Sequence, residues 1–150
     1  MQPGSYNLNV QFVQTEDYFM IMNEMIHNAR IVRMNEEHRG GPAMFWEGDS
    51  VGRWEGDTLV IETQNFWKGT AFGDSTPNMH LTERISRVGP DTLRYDFTIE
   101  DPTTWTSPWT ASMPMRRINE PIYEYACHEG NYGFDGIMAG IRRLQLEEEL

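Results

Sequence analysis

A lone cysteine, Cys127, is all that the 150 residues carry, which excludes an internal disulfide and any zinc site built from several cysteines. Basic side chains are also scarce. Twelve Lys and Arg against twenty-three Asp and Glu give a formal charge of -11, a field that repels phosphate backbones and anionic lipid, so neither nucleic acid nor a membrane is expected as partner. No stretch approaches the about eighteen consecutive apolar residues of a membrane-spanning helix. The opening MQPGSYNLNV has neither the basic segment nor the apolar core of a signal peptide, so the chain as given is expected to be soluble, and either cytoplasmic or already stripped of a signal peptide. A phosphate-cradling glycine loop, a GxSxG elbow and a dinucleotide fingerprint are all missing, which speaks against a nucleotide cofactor.

What is present fits one domain over residues 1–150. The chain is 39% hydrophobic and 12% aromatic, with five tryptophans and ten methionines. At this length about two-thirds of the unfolded surface is buried on folding, so no covalent staple is required. So much large, polarisable surface suits either an aromatic-rich β core or a cavity for a small-molecule ligand.

The run Met44 to Phe66 organises the rest. Leu59, Ile61 and Thr63 alternate with Val60, Glu62 and Gln64, and Glu55-Gly56-Asp57 supplies a turn, so the spacing predicts a β-hairpin. Leu8, Val10 and Phe12 begin an earlier hairpin whose second strand starts at Tyr18 and runs to Val32, too long to be flat, so a bulge or bend is expected between Glu24 and Asn28. His80 to Val88 and Thr92 to Glu100 form another hairpin, with Leu93, Tyr95, Phe97 and Ile99 on its inner face. Trp109 to Arg116 and Ile122 to Cys127 are expected as the last two strands, near an edge or bulge because each contains or abuts proline. The loop from Phe66 to Asn78 carries Phe66, Trp67 and Phe72, which must fold back over something, either as a lid or as a seal. From Asp135 to Glu149 the period changes, with Ile137, Ile141 and Leu144 at helical spacing and Asp135 as N-cap. The fold class expected is all-β: a small antiparallel barrel of about eight strands, calycin-like in outline, with a carboxy-terminal helix.

Gln14 to Tyr18 (QTEDY), Glu24 to Ile31 (EMIHNARI), Gly48 to Phe66 (GDSVGRWEGDTLVIETQNF), His80 to Arg84 (HLTER), Asp101 to Trp109 (DPTTWTSPW) and Ile122 to Gly133 (IYEYACHEGNYG) resemble a family of exported bacterial proteins. The resemblance spans about Tyr6 to Arg142 and implies an exported protein, periplasmic or extracellular, but brings no activity with it. Where that family has a DGRPH-like turn, this chain has Asn35-Glu36-Glu37-His38-Arg39. The triplet Gly52-Arg53-Trp54 is similar to the glycine-x-tryptophan of lipocalin-like barrels.

The residues able to carry chemistry are dispersed. His27, His80 and His128 lie on or beside expected strands with Glu24, Glu83 or Glu124 near in sequence, and in a small barrel such a set could gather a divalent metal such as Zn, Cu or Fe. Satisfied structural histidines are the alternative. Acid–base chemistry without a metal has His80, His128, Glu124, Glu83 and Tyr95 as its candidates. Alternation puts Glu83 on the face opposite His80 and Arg84, and puts Glu124 with His128, opposite Tyr123, Tyr125 and Cys127. Arg30 could clamp an anionic group, or pair with Glu24 or Glu62. Trp46, Trp54, Trp67, Trp105 and Trp109 could stack on a flat or sugar ligand, or close the core. Met20, Met22 and Met25 suit copper(I) or simply fill gaps. Three functional expectations follow. The first is a small-molecule enzyme of lyase, isomerase or hydrolase type; the others are a non-catalytic exported binder of an apolar or carbohydrate ligand, and a structural subunit forming a homo-oligomer.

Overall fold

A computed structural model describes residues 8–69, 72–126, 129, 130 and 132–148. Eight strands form one sheet in chain order: β1 (Val10–Gln14), β2 (Tyr18–Asn23), β3 (Ala29–Met34), β4 (Asp49–Glu55), β5 (Thr58–Gln64), β6 (His80–Gly89), β7 (Thr92–Glu100) and β8 (Trp109–Arg116). A helix, α1 (Gly133–Glu148), ends the chain. The protein is therefore all-β with a carboxy-terminal helix.

The sheet curls as a half-barrel, and among the described residues no ladder joins β8 back to β1. Every neighbouring pair is antiparallel except β3 and β4, which run parallel with Val32 opposite Ser50. A parallel pair cannot be joined by a tight turn, and this is why the charged stretch between Met34 and Asp49 is long. The expected last strand is corrected: residues 121–126 form no strand. Strand β8, which carries Pro114, is one edge of the sheet, a place where a missing N–H is tolerated.

Alternation decides which side chains meet. Phe19, Ile21, Val32, Met34, Leu59, Ile61, Ile85, Tyr95, Phe97 and Ile99 are buried in one cluster on the concave face, each contributing roughly 1.5–3 kcal/mol relative to an exposed side chain. On the convex face polar pairs alternate with them: Arg53 meets Glu55 and Glu62, and Arg84 meets Glu55. Two glycines are dictated by space and conformation. A Cβ on Gly52 would lie 2.8 Å from Val32 Cγ1 and 3.0 Å from Met34 Sδ, and Gly56 takes φ 59° at the first central position of the β4–β5 turn, between the paired Glu55 and Thr58.

Loops close one end of the concave face. Phe66 and Met79 are buried in the core cluster, and Phe72, Trp105 and Trp109 pack against it. Their rings step from Phe72 to Trp109 at 5.7 Å, from Trp109 to Trp105 at 5.9 Å and to Phe97 at 5.7 Å. Asp101 pins these loops together. Its carboxylate accepts from Thr76 N–H at 2.6 Å, Thr103 N–H at 3.0 Å and the hydroxyls of Thr103 and Thr104, and these donors overcome the upward pull of burial and hold it below the usual carboxylate range.

Candidate functional site

The bend expected between Glu24 and Asn28 is a tight turn at Met25–His27. Ile26 and His27 both take positive φ, 63° and 54°, a costly choice for a β-branched residue. The chain leaves this bend in the register that sets Arg30 opposite Ile21, so the guanidinium points into the concavity and Ile31 points out. On a flat sheet Arg30 would stand about 14 Å from β6, three strand spacings away. Because the sheet curls, it meets Glu83 across the hollow.

This meeting takes place inside the concave face. Arg30 Nη2 donates to Glu83 Oε1 at 2.8 Å, Arg30 Nη1 lies 2.7 Å from Glu83 Oε2, and Tyr95 donates its hydroxyl to Oε1 at 2.7 Å. Arg30 Nη1 also reaches Thr63 Oγ1 at 3.4 Å, and Thr63 is bonded to Ser50 at 2.8 Å. Only 11% of the Arg30 side chain and 2% of that of Glu83 remain accessible. Glu83 Oε2 is buried and is held by the charge of Arg30 at Nη1.

The protonation states follow from the geometry. Burial alone would push the Glu83 carboxyl up, but the Arg30 charge and the bonds from Arg30 and Tyr95 outweigh it and hold Glu83 below the carboxylate range. Burial likewise opposes the Arg30 charge, and Glu83 restores it with a net upward shift. Tyr95 is pushed far up by burial and by the neighbouring carboxylate. The cluster is thus an ionised pair with a neutral phenol.

A cavity of about 130 Å³ opens beside the cluster. Arg30, Glu83 and Tyr95 form its polar wall, Phe66, Phe72 and Phe97 supply aromatic surface, and Asn23 and Glu47 add polar groups. A wider cleft of about 590 Å³ lies at the other end of the concave face, among Phe12, Phe19, Trp54, Leu59 and Leu93.

No family model, curated protein or solved structure matches this chain.

Of the residues singled out from the sequence, Arg30, Glu83 and Tyr95 come together, and the partner of Arg30 is Glu83 rather than Glu24 or Glu62. The other catalytic candidates stand apart. His80 is exposed on the convex face opposite Glu100, as the alternation with Glu83 requires. Glu124 is exposed in a segment without strand structure, so the strand that was to align it with His128 does not form there; His128 and Cys127 lie outside the described residues. Of the expected metal set, His27 and His80 are exposed and His128 lies outside the described residues. His27 is exposed and accepts at Nδ1 from Tyr125 N–H at 3.0 Å, and no group of three His, Cys, Asp or Glu able to hold a metal occurs among the described residues.

Trp46, Trp54 and Trp67 are largely exposed, Trp54 bordering the wider cleft, whereas Trp105 and Trp109 serve the core. Of the three methionines beside the bend, none lines the cavity. Asn23, Glu47 and Met79 were missed as cavity residues; only the apolar loop around Phe66 and Phe72 carried a signal. A second polar cluster also went unread. Buried Asp49 accepts from Arg33 Nη2 at 3.0 Å and Arg39 N–H at 2.7 Å, with His38 Nδ1 at 3.3 Å. These partners hold Asp49 low against the upward pull of burial and fasten the β3–β4 crossover.

Proposed function

We propose that this protein binds a small molecule, about one ring in size, in the cavity beside Arg30, Glu83 and Tyr95. The observation that carries the proposal is the combination of a 130 Å³ hollow with aromatic walls and a fixed, buried ion pair on one side. Ligand sites are mostly apolar with a few placed polar groups, and an apolar cavity of about 150 Å³ is known to hold benzene.

An acid–base enzyme needs groups that gain or lose a proton near neutrality. Here Glu83 is held ionised, Arg30 charged and Tyr95 protonated, so binding is the function this chemistry supports. Export, which the family resemblance implies, suits a protein that collects its ligand outside the cytoplasm.

The test is a thermal-shift screen of one-ring compounds against the protein and against Leu81→Phe, which enlarges a half-buried cavity wall. Stabilisation of the parent that is lost in the folded variant is expected. Equal shifts in both, or none in either, would refute the assignment.

A further inference from the structure

We infer that the cavity selects a small cation, a protonated amine carrying one ring, with its ammonium held at Glu47 and its ring among Phe66, Phe72 and Phe97. This rests on the binding proposal and goes beyond it by fixing the charge of the ligand.

Three charged side chains line the hollow: Arg30, Glu83 and Glu47. Arg30 and Glu83 are in contact at 2.7 Å and cancel each other, so the charge left over is that of Glu47. Among the described residues Glu47 forms no ion pair, and its hydrogen-bond partner is the neutral side-chain amide of Asn28. Such a donor fixes the carboxylate without neutralising it.

The fold holds Glu47 from two sides. Phe45 donates its N–H to Asn65 O at 2.9 Å and its own carbonyl accepts from Trp67 N–H at 2.8 Å and Gly48 N–H at 3.1 Å, which clamps the segment carrying Glu47 against the chain leaving β5. Asn28 grips the side chain from the bend before β3. Glu47 and Asn23 are half-buried, whereas Phe66, Tyr95, Phe97 and Ile99 are buried, so the negative charge stands at the mouth and the rings form the floor. A ring with a positive tip matches that order. The field of a chain of net charge -11 also draws cations and repels anions.

Benzylamine, protonated at neutral pH, is compared with benzyl alcohol, toluene and benzoate, which keep the ring and change the charge. Titrations of each into the wild-type protein and into Glu47→Gln, followed by two-dimensional amide NMR, read affinity, site and folding together. Benzylamine is expected to bind about three- to tenfold more tightly than the alcohol or toluene, and benzoate most weakly, with shifts around Glu47, Phe66 and Phe97. In Glu47→Gln, and in the wild type at about 1 M salt, where charges act over only about 3 Å, the preference should fall below about twofold. Benzylamine binding no more tightly than toluene or the alcohol, or benzoate binding as tightly as the amine, would overturn the charge assignment while leaving the binding proposal intact. A preference undiminished by the substitution or, should that variant not fold, by salt would do the same. Shifts confined to Trp54, Leu59 and Leu93 would place the ligand in the other cleft and overturn both, as would no binding by any of the four.

Discussion

Replacing Arg30 with methionine keeps much of the side-chain bulk and removes the charge that makes Glu83 tolerable inside the sheet. Glu83 is 2% accessible and its nearest cation is Arg30. Tyr95 still donates to Oε1, but one neutral hydroxyl does not offset burial of a full charge. Breaking a buried pair in this way costs about 3–5 kcal/mol, and for a chain of this length each kcal/mol lowers Tm by about 2–4 °C. A fall of about 6–20 °C is therefore expected by circular dichroism at pH 7.

The pH dependence carries the sharper signature. In the native protein Glu83 titrates below its ordinary range, so it contributes stability above about pH 4.3, its unfolded value, and loses it as pH falls through the folded value. In Arg30→Met the shift reverses, because desolvation is left unopposed. The folded carboxyl then binds its proton more readily than the unfolded one, and the gap between variant and parent narrows as pH drops from neutrality toward 5. The double variant Arg30→Met with Glu83→Leu removes both charges and should recover most of the loss, since paired buried charges often contribute little beyond an apolar replacement. A single variant that melts within 2 °C of the parent at pH 7, or a gap that widens on acidification, would refute the reasoning.

Ile26→Asn should raise Tm by about 2–4 °C, because Ile26 holds φ 63° with 71% of its surface exposed and asparagine tolerates that conformation at a saving of about 1 kcal/mol. Gly52→Ala should lower stability by about 1–3 kcal/mol in a urea melt, since the added methyl meets Val32 at 2.8 Å. His27→Ala should speed amide exchange at Tyr125 and increase proteolysis of residues 121–126, because it removes the acceptor of the Tyr125 N–H; unchanged exchange would show that the contact does not hold the segment. Asp49→Ala should open the crossover between Met34 and Asp49 to protease at neutral pH. Acid should do the same to the parent below the unfolded value of about 3.9, as the depressed Asp49 carboxyl takes up its proton.

The strands were legible in the sequence wherever two faces meet different surroundings. Leu93, Tyr95, Phe97 and Ile99 against Arg94, Asp96 and Thr98 gave both the strand and its inner face, and the same alternation separated Glu83 from His80. The interruption at Glu24 to Asn28 was visible because a run of that length cannot remain flat. The parallel β3–β4 pair was not legible, since NEEHRGG has no periodicity and nothing local says that a strand returns beside its predecessor rather than against it. IYEYAC alternates as a strand does, yet pairing needs a partner, and the sheet ends at the proline-bearing β8.

The Arg30–Glu83 pair was hidden for a related reason. The two are fifty-three positions apart and stand on strands that are not neighbours, so only the curl of the sheet joins them. Each was a candidate alone, but their mutual neutralisation, which moves the site from proton transfer toward recognition, needs the folded geometry.

The most direct measurement of the central claim is a crystal structure of the protein soaked with benzylamine at neutral pH. The account predicts the ring in the cavity among Phe66, Phe72 and Phe97, with the Arg30–Glu83 pair intact beside it. A hollow filled by side chains, or a ring seated elsewhere on the protein, would contradict it.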